Sequence, residues 1–147
     1  LLHCDLVYAT PAAELRTPFL DLGLVPEAGA SLTAVERMGY ARAFELLCLG
    51  EPFGAERALH AGIVNRIVPA GDLESVAMTA ARRLAGKPRE ALLAARRLMR
   101  GGAGRISAQI ESESEVFRSR MGSAEAQEAF AAFFEKRKPD FKKLRRT

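Results

Sequence analysis

The sequence predicts an α/β chain in which helices dominate and a few short strands stand at the front. Three observations carry this. Strand-like apolar runs are confined to the first 16 residues and to residues 63–68. From Ser31 to Lys136 apolar residues recur at helical spacing. Clusters of Gly and Pro then cut this stretch into separate helices.

Residues 1–9, beginning Leu1-Leu2-His3-Cys4 and running to Tyr8-Ala9, read as a buried strand. Residues 13–16 alternate and suit a second short strand after the turn at Thr10-Pro11. Residues 17–31 are apolar but broken by Pro18, Gly23, Pro26 and Gly29. Such a segment opposes both helix and regular strand, so it reads as a structured loop entering a helix near residue 28. A loop this apolar must be covered, which makes it a candidate pocket wall. Leu32, Val35 and Met38 then step by three. Gly39 interrupts the helix, and residues 41–49 resume it with Phe44, Leu47 and Cys48 on one side. A turn at Gly50-Glu51-Pro52-Phe53-Gly54 precedes a short helix over 55–60, ended by Gly62. The β-branched run 63–68 reads as a strand stopped by Pro69.

The remainder is helical. Asp72 is placed to cap a helix over 73–84. Gly86-Lys87-Pro88 breaks it, and Pro88 suits the first turn of a helix over 89–100. Gly101-Gly102-Ala103-Gly104 reads as a joint rather than a phosphate loop, because it lacks a Lys-Ser/Thr pair and a preceding strand. A helix over 106–121 aligns Ile106, Ile110, Glu113 and Phe117. Ser123 caps a last helix over 124–136, loaded with Phe130, Phe133 and Phe134 at its end.

Composition narrows the function classes. With 147 residues, 48% of them hydrophobic and 27% charged, the chain is neither disordered, collagenous nor a disulfide scaffold. It carries a net charge of +4, unevenly. The last twelve residues hold Lys136, Arg137, Lys138, Lys142, Lys143, Arg145 and Arg146 against the single acid Asp140, so the chain before them is net acidic. That distribution speaks against a nucleic-acid binder. No apolar stretch reaches the roughly 18–20 residues of a membrane span. Cys4 and Cys48 have no metal or redox spacing and read as buried free thiols, which suits a cytoplasmic protein. His3 and His60 face no obvious carboxylate or thiol, and no His/Cys/Asp cluster has zinc spacing, so no metal site is expected. The chain begins inside a strand-like run, and two short strands alone would be a bare sheet edge. The expectation is therefore a C-terminal part of a larger domain, with partner strands upstream of Leu1.

Five segments taken together resemble the crotonase (enoyl-CoA hydratase/isomerase) superfamily. They are Cys4-Asp5-Leu6-Val7-Tyr8-Ala9; Thr17-Pro18-Phe19 with Leu22-Gly23-Leu24-Val25-Pro26-Glu27; Leu49-Gly50-Glu51-Pro52-Phe53; Ala61-Gly62-Ile63-Val64-Asn65-Arg66-Ile67-Val68-Pro69; and Phe133-Phe134-Glu135-Lys136-Arg137-Lys138-Pro139-Asp140-Phe141. The resemblance implies a spiral of β-β-α units, of which residues 1–70 would be the end with the active-site loop. Residues 71–147 would be the helical region that packs homotrimers or dimers of trimers. It implies acyl-CoA thioester substrates, an enolate intermediate, a place in fatty acid metabolism, and no cofactor beyond the CoA of the substrate. The two backbone N–H groups of the oxyanion hole would lie upstream of Leu1, so this chain alone is expected to be inactive.

Glu27 is the candidate base. It is the only acid in residues 22–35 and stands among Leu22, Leu24, Val25 and Pro26. Burial raises a carboxylate's pKa and a helix N-terminus lowers it, a combination suited to a cycling base. The competing reading is a first-turn acid that only complements the helix dipole. The expected acyl pocket is Phe19, Leu22, Leu24 and Pro26. Hydratases of the family use two carboxylates, one upstream of Leu1 and one at the position of Phe19, which cannot transfer protons. The Thr17-Pro18-Phe19 string with Glu27 instead resembles the peroxisomal-type Δ3-Δ2-enoyl-CoA isomerases and bacterial relatives. There one Glu moves a proton from C2 to C4, and an apolar Phe19 keeps the pocket dry; packing alone is the other reading of Phe19. Phe133 and Lys136 match the family's adenine and 3′-phosphate contacts to CoA, often lent by a neighbouring subunit. Their alternative is a solvated basic helix end. A hydratase using an upstream Glu, and a non-catalytic CoA-binding or oligomerisation module, remain the competing functions.

Overall fold

A computed structural model describes residues 1–146, with side chains through residue 144. Arg145 and Arg146 side chains, and Thr147, which end the basic tail, lie outside that description. The described residues form four two-residue strands and seven α-helices. The strand β1 (Tyr8–Ala9) pairs in parallel with β4 (Arg66–Ile67), Tyr8 opposite Arg66. The strand β2 (Glu14–Leu15) pairs antiparallel with β3 (Phe53–Gly54), Leu15 opposite Phe53. The long strands expected over 1–9 and 63–68 are thus reduced to their hydrogen-bonded centres. The Asn65 side chain, which accepts from the Val7 N–H at 2.7 Å, marks where pairing begins.

Helix α1 (Ala30–Met38) ends at Gly39, where α2 (Tyr40–Phe44) starts and runs into a π turn, Glu45–Leu49. Helix α3 (Ala55–His60) closes with the Gly62 N–H donating to Leu59 O at 3.0 Å and Ile63 N–H to Ala58 O at 3.0 Å. These elements enclose the core: Phe53, Ala34 and Ala58 are fully buried, with Ile63, Val64, Leu46, Leu47 and Met38 around them. Hydrophobic burial at these positions is the main cohesive term.

Helices α4 (Leu73–Ala85), α5 (Arg89–Arg100), α6 (Ala103–Met121) and α7 (Ala124–Phe134) follow. The Asp72 side chain makes no capping bond, because it lies in a 3-10 turn, Ala70–Asp72, which already presents its carbonyls. Ser123 does cap, accepting from Ala126 N–H at 3.1 Å. The joint before α6 is shorter than the glycines suggest, since the helix begins at Ala103 and absorbs Gly104. No residue of α4 or α5 is buried, and Leu98 and Met99 stand exposed. Cys4 is exposed and Cys48 half-buried, so Cys4 is not the buried thiol its apolar neighbours suggest. Among the described residues no helix is long and apolar enough to cross a membrane.

Candidate active site

Residues 17–31 cross the structure as a pinned loop. Thr17 Oγ1 donates to Leu46 O in the π turn at 2.5 Å. A 3-10 turn, Leu20–Leu22, then brings the chain to Gly23, whose φ is +67°. A Cβ there would stand 2.8 Å from Ala126 N and 2.8 Å from Glu125 C, so only glycine lets α7 seat on the loop. Arg120 Nε closes the contact by donating to Gly23 O at 3.2 Å.

The next turn carries Glu27. Ala28 and Gly29 are both left-handed, with φ of +59° and +74°. For alanine that conformation costs about 1–2 kcal/mol, an outlay met by surrounding contacts. Gly29 meets Ile106 of α6, whose Cγ2 would be 3.3 Å from an added Cβ. His3 Nε2 is hydrogen-bonded to Ala28 O at 2.7 Å. Glu113 of α6 is buried at 5% exposure, the only buried ionisable residue among those described. Its carboxylate accepts from Gly29 N–H at 2.5 Å, Ser31 N–H at 2.9 Å and Ser31 Oγ at 2.5 Å, and Gln109 Nε2 donates to Ser31 Oγ at 2.9 Å. The free N–H groups that start α1 are therefore capped by a side chain more than eighty residues away.

This corrects the sequence picture of Glu27. It is exposed, and it precedes α1 instead of lying in its first turn. The consecutive left-handed residues swing it off the helix axis, and Glu113 takes the place at the helix end. Glu27 and Phe19 both line a cavity of about 420 Å³, walled by Leu2, Leu15, Leu46, Leu47 and Ile63 and also reached by His3, Glu14, Arg16 and Thr17. That volume suits a small-molecule pocket, mostly apolar with a few polar groups. Leu22, Leu24 and Pro26 do not line it. Leu24 is buried and faces a separate groove beside Arg120, Glu125 and Phe141, because the Gly23 turn aims it at α7. Leu22 and Pro26 are half-buried.

Phe133 and Lys136 lie at the end of α7, both exposed and away from the cavity lining. Phe133 stacks edge-on with Phe134 at 5.8 Å. The helix closes as Lys136 N–H donates to Phe133 O at 3.2 Å and Arg137 N–H to Ala132 O at 2.9 Å, with Lys136 left-handed at φ +53°. Glycine is the usual occupant of that position. Arg137 folds back onto Glu128, whose carboxylate also accepts from Asp140 N–H at 2.8 Å. These bonds hold the Glu128 carboxyl well below its ordinary range, at about 2. Lys143 pairs with Asp140 at 3.4 Å, whereas the Lys136 ammonium makes no hydrogen bond or ion pair with the described residues. Among the described residues no cluster could hold a metal ion.

Sequence reasoning passed over Glu14, set His3 aside, and placed Glu113 in register with Ile106 and Ile110 without giving it a role. An acid on the apolar side of α6 was the signal that a buried partner awaits it.

The short parallel and antiparallel pairs, followed by outlying helices, are the end of a crotonase-like spiral. The family model described as "Enoyl-CoA hydratase/isomerase" matches residues 1–144, and the chain belongs to that family. It is 32% identical over 142 residues to "Probable enoyl-CoA hydratase echA8" of Mycobacterium tuberculosis, covering 94% of this chain and 54% of that protein. It is 30% identical over 142 residues to the 2,3-dehydroadipyl-CoA hydratase of Escherichia coli, covering 96% and 56%. A Delta(3,5)-Delta(2,4)-dienoyl-CoA isomerase of Pyricularia oryzae is 44% identical over 63 residues, covering 43% and 22%. The crystal structure of an enoyl-CoA hydratase/isomerase from Pseudoalteromonas atlantica superposes with TM-score 0.91 at 39% identity, covering 95% of this chain and 57% of that one. The chain spans about half the length of the curated relatives it matches.

Proposed function

We propose that this chain is the base-bearing half of an acyl-CoA enzyme that isomerises 3-enoyl-CoA to 2-enoyl-CoA through Glu27. The carrying observation is a carboxylate and an aromatic ring, Glu27 and Phe19, on one largely apolar cavity. The Glu27 carboxylate takes a proton from C2 of the acyl chain, and the electron pair moves into a dienolate on the thioester oxygen. Return of the same proton to C4 places the double bond between C2 and C3, so nothing is added or lost. The oxyanion-hole donors that hold the enolate belong to the segment upstream of Leu1 in this reading. Phe19 limits water at the reacting carbons.

The left-handed Lys136 supports a CoA contact. A lysine standing where glycine is favoured, with its ammonium unpaired among the described residues, is available to a 3′-phosphate, and the exposed Phe133 ring to adenine. The exposed Leu98, Met99 and Phe134 fit a homotrimer or dimer of trimers in which one subunit lends these residues to the next. The enzyme then works in the cytoplasm on fatty acid metabolism and needs no cofactor beyond the CoA of its substrate.

The hydratase names of the longer relatives favour a second reading, in which an upstream Glu hydrates 2-enoyl-CoA. The test is the intact protein with Glu27→Gln, assayed in both directions of chemistry. Isomerisation of a 3-enoyl-CoA should fall by about 10²–10⁴, the usual worth of a general base. Unchanged turnover removes Glu27 from the mechanism, and hydration outpacing isomerisation in the unmutated protein selects the second reading.

A further inference from the structure

We propose that Glu113 is a positioning residue for Glu27, holding the turn that presents the base. The inference rests on the Glu27 reading above. Glu113 is buried, accepts three hydrogen bonds, from Gly29 N–H, Ser31 N–H and Ser31 Oγ, and does not itself line the cavity. Its first acceptor bond is to Gly29 N–H, two residues beyond Glu27; the turn closes on itself through Ala30 N–H donating to Glu27 O at 3.0 Å, and Glu113 fastens that closed turn to α6. His3 Nε2 holds the Ala28 carbonyl beside it. The turn between them contains two consecutive left-handed residues, a conformation that persists only where neighbours over-determine it. Releasing Glu113 lets Ala28 relax and moves Glu27 relative to the cavity.

The experiment compares Glu113→Gln, Glu113→Asp and Glu27→Gln in the intact protein, by kcat, KM and thermal unfolding. Glu113→Gln should lower kcat about tenfold or more, as displaced catalytic groups do, with KM within about twofold. Glu113→Asp keeps the charge but shortens the reach to Gly29 N–H, so kcat should fall there too, again with little change in KM. If Glu113→Gln yields no folded protein, the aspartate variant decides: an unchanged kcat overturns the proposal. It is equally overturned if Glu113→Gln loses thermal stability but keeps the specific activity of the folded fraction. Full activity in Glu27→Gln refutes the reading of the base itself, a separate outcome from either of these.

Discussion

Replacing Lys136 by glycine should make the protein more stable and a worse CoA binder at once. Lys136 closes α7 with φ +53°, and the two hydrogen bonds around it, to Phe133 O and from Arg137 to Ala132 O, require that conformation. A non-glycine residue there costs about 1–2 kcal/mol. Glycine returns roughly 0.5–1 kcal/mol of that as extra freedom of the unfolded chain. The net gain is about 0.5–1 kcal/mol, or about 1–4 °C in Tm for a domain of this size class. The side chain itself has no partner among the described residues, so its removal breaks nothing internal. An exposed ammonium–phosphate contact is worth about 1 kcal/mol, which is about fivefold in KM. The assay pairs thermal unfolding with KM for an enoyl-CoA and for its 3′-dephospho analogue in the intact protein. Wild type should prefer the phosphorylated ester, and Lys136→Gly should lose the preference. A lowered Tm refutes the backbone argument, and a retained preference refutes the contact.

Two further outcomes follow from packing and charge. Gly23→Ala places a methyl group 2.8 Å from α7 backbone atoms that cannot rotate away, at a φ of +67°; urea unfolding should show a loss of about 2–4 kcal/mol, and a loss under about 1 kcal/mol would contradict the seating of α7 on the loop. Glu128 is held at about 2 against an ordinary 4.5 by Arg137 first and the Asp140 N–H second. Because its folded pKa is depressed, the stability it contributes is present above about pH 4.5 and fades as pH falls towards 2. Glu128→Gln should flatten the acid dependence of unfolding in that window, and an unaltered pH profile would count against the Arg137 clasp.

Helix α5 shows how much was legible locally. Pro88 and Gly101 bracket it, and both bounds follow from backbone chemistry that needs no partner. Ser123 likewise caps α7 with a bond three residues away. The strands were legible in place but not in length, because a strand ends where its partner ends, and β1 finds β4 some sixty residues later. The cavity was half legible: Phe19 and Glu27 sit on it, while Leu22, Leu24 and Pro26 turn elsewhere at Gly23, whose direction depends on α7.

By itself the sequence determined the helix-rich class, the limits of α5, the family resemblance and the pairing of an apolar loop with one acid. These rest on spacing, on proline and glycine, and on short capping bonds. The tertiary structure alone decided that Glu27 stands exposed off the helix and that Glu113 caps it instead. It also decided that Arg137 folds onto Glu128, while Lys136 has no partner among the described residues. A carboxylate's partner is whichever donor lies nearest in space, and the chain brings those donors together only once it is folded.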